Sequence, residues 1–162
     1  MAIRGTNVES EINTSNDPYI IVSSDTHAGL QCEEYRPYLD SSLHDEFDDY
    51  IAERHEHRRL TEEINGEYVQ EWEGDNAEGL QGAYDPEVRD KTLDADGISG
   101  EIIFADGDAV TGMESPPFGA GLAAGQITDS RQAWGGARAH NRWLEEFCAT
   151  NPPRRAGVAL LP

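Results

Sequence analysis

The chain has 162 residues, of which 12 are Lys or Arg and 32 are Asp or Glu, so its formal net charge at pH 7 is −20. This length allows one domain, or part of one, with a hydrophobic core. The negative charge repels phosphate backbones and anionic lipid surfaces, so we expect neither a nucleic-acid partner nor a membrane partner. Residues 1–17 carry no apolar signal segment and predict a flexible leader.

The two cysteines, Cys32 and Cys148, lie far apart in the sequence, and neither belongs to a Cys-x-x-Cys pair. Without a secretory signal, this usage favours two reduced thiols, and we expect a cytoplasmic protein. The sequence leaves open whether the chain forms a homo-oligomer.

Apolar runs and helical patterns alternate along the chain. Three runs rich in Val, Ile or Leu predict buried strands: YIIVSS at 19–24, GEIIFAD at 100–106 and AGVALLP at 156–162. Alternation of this kind predicts parallel strands joined by right-handed helical crossovers. The predicted fold class is therefore α/β.

Three helices are predicted between these strands. The first spans residues 42–60, with Ser42 as its N-cap and an apolar face. The second spans 86–96, because Asp85 can cap it and a proline follows at the first helical position. The third and longest starts at residue 128 or 129 and runs to about Thr150, where the sequence NPP stops it.

Two stretches fit no regular element. Residues 61–84 are polar, acidic and punctuated by glycine, and residues 106–127 are rich in glycine, so both predict long loops. Trp72 in the first loop is interpreted either as part of a lid over a substrate or as an anchor for the loop. Asp106 and Asp108 in the second loop follow a strand at its functional end, but the sequence DGD favours an ordinary turn.

The sharpest signal for chemistry is the pair Asp25-x-His27, directly after the first predicted strand. Residues two apart on an extended chain point to the same side, so the pair can present an oxygen and a nitrogen together. Carboxylate and imidazole suit zinc or manganese, which predicts half of a metal site with its two donor atoms about 3 to 4.5 Å apart. The alternative is a turn aspartate beside a surface histidine.

The other histidines are weaker candidates for a site. His55 and His57 lie about 200° apart around a helix axis, so they cannot share a metal and are interpreted as surface residues. His140 lies on the apolar face of the long helix, which favours a hydrogen-bonded core histidine. His44 lies in a first helical turn and is expected to be exposed.

Three segments carry a resemblance to a known family: IVSSDTHAG at 21–29, DADGISGEIIFAD at 94–106 and AHNRWLEEFCATNPPRRAGVALLP at 139–162. Together they resemble the N-terminal portion of the amidohydrolase-related (amidohydrolase 2) family of the metal-dependent hydrolase superfamily, in the branch similar to aminocarboxymuconate-semialdehyde decarboxylase. The resemblance covers residues 19–162 apart from the acidic 61–84 segment.

The resemblance implies a TIM-type (β/α)8 barrel, of which residues 18–162 would form about three βα units with a loop excursion at 61–84. It places the family's strand-one metal ligands on Asp25 and His27, with aspartate where histidine is more familiar. The remaining ligands, a histidine and an aspartate, would come from later strands. The general acid or base is likewise expected beyond Pro162, because a full barrel needs about 250 residues.

The activity implied by the resemblance is that of a metal-dependent hydrolase or a non-oxidative decarboxylase, a carboxy-lyase. Its substrate would be a small carboxylated or amide-bearing molecule, and its cofactor a divalent metal, zinc with manganese as the alternative. A different interpretation is a non-catalytic barrel fragment that folds only with another chain or a complementary half. In either case we expect no turnover from this chain alone, because two protein ligands are fewer than a catalytic zinc site uses.

Overall fold

A computed structural model describes residues 19–105, 116–120 and 129–161. Its regular elements, in chain order, are β1 (Val22–Ala28), the 3-10 helices Cys32–Tyr38 and Ser41–Leu43, α1 (His44–Asp75), α2 (Ala77–Gly82), α3 (Pro86–Ala95), β2 (Gly100–Ala105), the 3-10 helix Pro117–Gly119, α4 (Ser130–Ala149) and β3 (Arg155–Gly157). Strands and helices alternate after α1 as the sequence predicts, which confirms the α/β class.

The three strands form one parallel sheet in the order β1-β2-β3. Helices α3 and α4, which precede β2 and β3, pack on the same face of this sheet. Arg89 of α3 binds Glu101 of β2, and Leu144 of α4 occupies the space where a Cβ on Gly157 of β3 would lie. We call this side the helix face and the opposite side the open face, where the described side chains are exposed or half-buried.

The hydrophobic core lies between the helix face and the helices. Ala28 and Ile103 of the sheet join Phe47 of α1 and Phe147 of α4 in one buried cluster. Helix α4 sits close to its neighbours because a Cβ on Gly136 would overlap the carbonyl oxygen of Pro117. This close packing therefore requires small residues at the contact.

The cap of the second predicted helix and the start of the third are confirmed. The Asp85 carboxylate accepts hydrogen bonds from the backbone N–H groups of Glu87 and Val88, and Pro86 takes the first position of α3. Asp129 accepts from the N–H of Arg131 at the start of α4. Both caps satisfy donors that a helix leaves without an internal partner.

The loop predicted at 61–84 is wrong, because α1 continues to Asp75 and α2 covers most of the remainder. The first helix is therefore longer than the predicted 42–60, and it is also longer than α4. The 61–84 segment is rich in Glu and contains Gly66 and Gly74, a composition that favours a loop. Arg59 forms ion pairs with Glu56 and Glu63, three and four residues away, and these pairs stabilise the helix.

The strand predicted at 19–24 is shifted and its burial is wrong. β1 begins at Val22, and Tyr19 and Ile20 before it are 71% and 82% exposed. The apolar run lies at the start of an edge strand, where the described chain places no neighbour over it. The second strand agrees with its prediction as far as Ala105, whereas β3 is limited to Arg155–Gly157.

The remaining predictions concern His44, the two cysteines and the absence of a membrane span. His44 is half-buried rather than exposed, because its ring lies at the packed start of α1. Cys32 and Cys148 form no disulfide. Within the described residues, no helix is both long and apolar enough to cross a membrane. The predicted leader, the loop residues Asp106 and Asp108, and the side chains of His57 and Trp72 lie outside the described part of the structure.

Candidate functional site

Asp25 and His27 lie in the second half of β1 rather than after its end. The strand contains an irregularity just before them. Ser23 pairs with Glu101 and Thr26 pairs with Ile103, so Ser24 and Asp25 together face the single residue between these partners. This arrangement is a β-bulge, a feature that re-aims side chains and is enriched next to active sites.

The bulge decides which face of the sheet carries the pair. Val22 pairs with Gly100 on the open face, and uninterrupted alternation from Val22 would turn Asp25 and His27 toward the helices. The extra residue reverses the alternation, so Ala28 is fully buried on the helix face while Asp25 and His27 are exposed on the open face. The prediction that the two side chains share a side is confirmed.

The two predicted donor atoms approach each other closely. His27 Nε2 lies 3.5 Å from Asp25 Oδ1, and the two side chains are 42% and 85% exposed. In a tetrahedral zinc site with ligand bonds of about 2.0–2.1 Å, neighbouring donors lie about 3.3 Å apart. The observed separation would allow both atoms to bind one cation, and it is also that of an ordinary imidazole–carboxylate pair.

The tautomer of His27 follows from its second ring nitrogen. His27 Nδ1 lies 3.0 Å from the carbonyl oxygen of Ala105, which can only accept a hydrogen bond. Nδ1 therefore carries a proton. When the ring is neutral, its lone pair is on Nε2, toward Asp25, and a cation could bind both atoms; when the ring is protonated, Nε2 donates to the carboxylate instead. A backbone carbonyl on the other nitrogen is the usual support of a metal-binding histidine.

The surroundings of the pair on the open face are apolar. The ring of Phe104 lies 6.2 Å from the His27 ring, centroid to centroid, and Ile102 is half-buried beside the bulge. An apolar wall beside a polar pair is the usual composition of a small-molecule site.

The structure does not add a third metal ligand to this pair. Among the described residues, no three His, Cys, Asp or Glu side chains come together in a way that could hold a metal. His55 lies elsewhere on the surface, 62% exposed, with Nε2 2.7 Å from Glu33 Oε1. Of the predicted site residues that the structure describes, only Asp25 and His27 are brought together.

His140 is the hydrogen-bonded core histidine that the sequence predicts. The backbone N–H of Leu30 donates to the hydroxyl of Tyr35, and this hydroxyl lies 2.9 Å from His140 Nδ1. The other ring nitrogen, Nε2, is buried and has no hydrogen-bond partner among the described residues. Burial lowers the pKa of His140 to about 4, so the ring is neutral at pH 7.

Sequence reasoning missed a buried ion pair directly beneath the site. The Glu101 carboxylate is fully buried on the helix face and binds the Arg89 guanidinium at 2.8 Å. A carboxylate inside the apolar run GEIIFAD was the available signal. It shares a face with Ile103 and Ala105, and a buried carboxylate requires a cationic or hydrogen-bonding partner.

Comparison of the chain with protein-family models, with curated proteins and with solved structures gives no match. The family resemblance of the three segments therefore stays a prediction.

Proposed function

We propose that this chain is the N-terminal portion of a cytoplasmic metal-dependent enzyme of the amidohydrolase-related type, in which Asp25 and His27 hold a divalent cation. Zinc is the proposed metal, with manganese as the alternative. The observation that carries the proposal is the 3.5 Å approach of Asp25 Oδ1 and His27 Nε2 on the open face. The hydrogen bond from His27 Nδ1 to Ala105 supports it, because it keeps the Nε2 lone pair available.

The complete fold would be a (β/α)8 barrel, as the family resemblance implies. The described strands are parallel, follow chain order and carry α3 and α4 on one face, an arrangement found in the first units of a barrel and also in one half of a doubly wound sheet. The proposal of a barrel therefore depends on the resemblance. In a barrel the open face would be the interior, where side chains from other strands would cover Ile102 and Phe104. The site would then lie toward the carboxyl ends of the strands, where barrel enzymes react.

The proposed substrate is a small carboxylated or amide-bearing molecule, which the enzyme would hydrolyse or decarboxylate. A bound cation would supply Lewis acidity and a template for substrate oxygens. Asp25 and His27 would hold it, and Phe104 would contact the apolar part of the substrate beside the His27 ring. Further metal ligands and the general acid or base are expected from later strands.

A second candidate is a non-catalytic fragment that needs a complementary half or another chain. The apolar residues before and at the start of β1 favour it: Tyr19, Ile20, Ile21 and Val22 are each at least half exposed. An exposed apolar edge is a surface for pairing with further strands. Gel filtration separates the candidates, because a monodisperse monomer that binds metal supports a self-sufficient site and an aggregate supports the fragment.

Metal binding by the 162-residue chain is the direct test of the proposal. Zinc affinity would be measured by competition with a chromophoric chelator for the unmodified chain and for His27→Ala, Asp25→Asn and His55→Ala. We expect the first two substitutions to weaken zinc binding at least about tenfold. His55→Ala is the matched control, since it removes an exposed imidazole outside the site. Equal loss in all three variants, or no binding by the unmodified chain, would contradict the metal site.

Turnover is tested separately with a panel of aromatic carboxylic acids and small amides in the presence of zinc or manganese. We expect no turnover from this chain alone, and turnover from a longer chain that supplies the later strands. Metal-dependent turnover by the 162-residue chain, abolished by His27→Ala, would show that residues given no role here complete the site.

A further inference from the structure

We propose that Arg89, Glu101 and Thr26, all on the helix face, are positioning residues for Asp25 and His27 on the open face. These three residues lie beneath the bulge and stabilise the register between β1 and β2 that places both side chains on the open face. The inference rests on the proposed function only where it calls the exposed pair a cation site.

Glu101 links the helix layer to the strand segment that carries the site. Its carboxylate accepts from Arg89 Nε at 2.9 and 3.0 Å and from Arg89 Nη2 at 2.8 Å. The hydroxyl of Thr26 lies 3.1 Å from the same carboxylate and 3.0 Å from the carbonyl oxygen of Ile102. Thr26 lies between Asp25 and His27, so these contacts hold the segment from below.

Arg89 also holds the backbone of the site directly. Its Nη1 donates to the carbonyl oxygen of His27 at 3.0 Å and to that of Gly82 at 3.1 Å. A guanidinium presents donors in a rigid planar fork, so one side chain can bind the carboxylate and the two carbonyls together. An ammonium group in the same place could keep the charge but not this set of contacts.

The orientation of Asp25 and His27 depends on the register in which β1 pairs with β2. A one-residue slip in β1 would turn Asp25 and His27 toward the helices. A buried ion pair contributes little net stability, since the desolvation of both ions offsets their attraction. Its geometry nevertheless tolerates only one placement of Thr26 and His27. The contacts therefore act on the register of the strand more than on the stability of the fold.

Arg155 provides a matched control in the same network. It is also fully buried, and its Nε lies 3.5 Å from Glu101 Oε1. Its Nη2 donates to Asp90 Oδ1 at 2.7 Å and to the carbonyl of Pro86 at 2.9 Å, both on the α3 side. The contacts of Arg155 thus stabilise the helix layer, whereas those of Arg89 reach β1.

The test compares Arg89→Lys and Thr26→Val with the controls Arg155→Lys and Thr92→Val in the metal-free full chain. Thr92 is suitable because its hydroxyl donates within α3, to the carbonyl of Val88. The readout is the nitrogen-15 NMR spectrum of the His27 ring, which reports which nitrogen carries the proton. We expect Nδ1 protonation in the unmodified chain and both controls, and a mixture of tautomers in Arg89→Lys and Thr26→Val.

Zinc affinity gives the second readout. We expect Arg89→Lys to weaken zinc binding about 10- to 100-fold, the usual loss when the support of a metal ligand is removed, and Arg155→Lys to leave it unchanged. If Arg89→Lys unfolds the chain, Thr26→Val decides, since it removes one hydroxyl at nearly constant shape. An unchanged His27 spectrum in the folded test variants, or an equal change in the controls, would overturn the inference. Absent zinc binding by the unmodified chain would instead contradict the proposed function, while the ring spectra still decide on positioning.

Discussion

Charged side chains are buried and paired within the fold on the helix face of the sheet, whereas they are exposed on the open face. On the helix face, the Glu101 carboxylate is fully buried and receives donors from Arg89 and Thr26. On the open face, Asp25 and His27 are exposed, and their Oδ1 and Nε2 atoms lie 3.5 Å apart. A buried charge requires its partners within the fold, whereas an exposed polar pair can take a partner from solution. The helix face is therefore where stability is expected, and the open face is where function is expected.

The largest expected effect comes from breaking the charge balance on the helix face. Glu101→Gln leaves the buried Arg89 guanidinium without a counter-charge and removes one of the two carboxylates beside Arg155, and we expect it to lower the free energy of unfolding by about 3–5 kcal/mol. Urea denaturation measures the loss. Glu56→Gln, which removes an exposed partner of Arg59, should cost no more than about 1 kcal/mol. Similar small losses in both variants would contradict the contrast.

The second prediction uses the buried His140, because its pKa is about 4 in the folded chain and about 6.5 when the chain is unfolded. The unfolded state then binds a proton that the folded state does not, so stability is full above pH 6.5 and falls as the pH approaches 4. The loss is on the order of 3 kcal/mol, at 1.36 kcal/mol per pH unit. Denaturation curves across this range for the unmodified chain and His140→Gln isolate this loss. Parallel pH dependence in the two proteins would show that His140 does not contribute.

The third prediction concerns how closely α4 packs on the helix side. Gly136→Ala places a methyl group against the carbonyl oxygen of Pro117, and we expect it to destabilise the fold by about 1–3 kcal/mol. Gly66→Ala in α1 is the matched control, because nothing lies within 4 Å of the new Cβ. There the higher helix propensity of alanine should stabilise by up to about 1 kcal/mol. Opposite signs in thermal denaturation support the packing argument, and equal signs contradict it.

The smallest effect on stability is expected at the open face. Asp25→Asn should change the free energy of unfolding by no more than about 0.5 kcal/mol, because the side chain is 85% exposed. The same variant should lose zinc affinity, so urea denaturation and chelator competition on one sample separate the two properties. A stability loss comparable to that of Glu101→Gln would show that the faces do not differ as described.

The sequence by itself determined the features that depend on neighbouring residues. The cap at Asp85, the start of α4 at Asp129 and the alternation of strands with helices follow from local hydrogen bonding and from apolar periodicity. The pairing of Asp25 with His27 on one side was also predictable, because it needs only an extended backbone over three residues. Each of these signals lies within a few residues of the feature that it specifies.

Only the tertiary structure decided which face of the sheet carries Asp25 and His27. The bulge at Ser24 and Asp25 depends on where the partner strand places Glu101 and Ile103, and these residues lie about 78 positions along the chain. The buried contact of Arg89 with Glu101 likewise forms only once α3 packs on the sheet. The apolar pattern of a strand predicts that its side chains alternate between two faces, but it does not predict how the strand aligns with its neighbour. The register comes from long-range pairing, which a local pattern cannot specify.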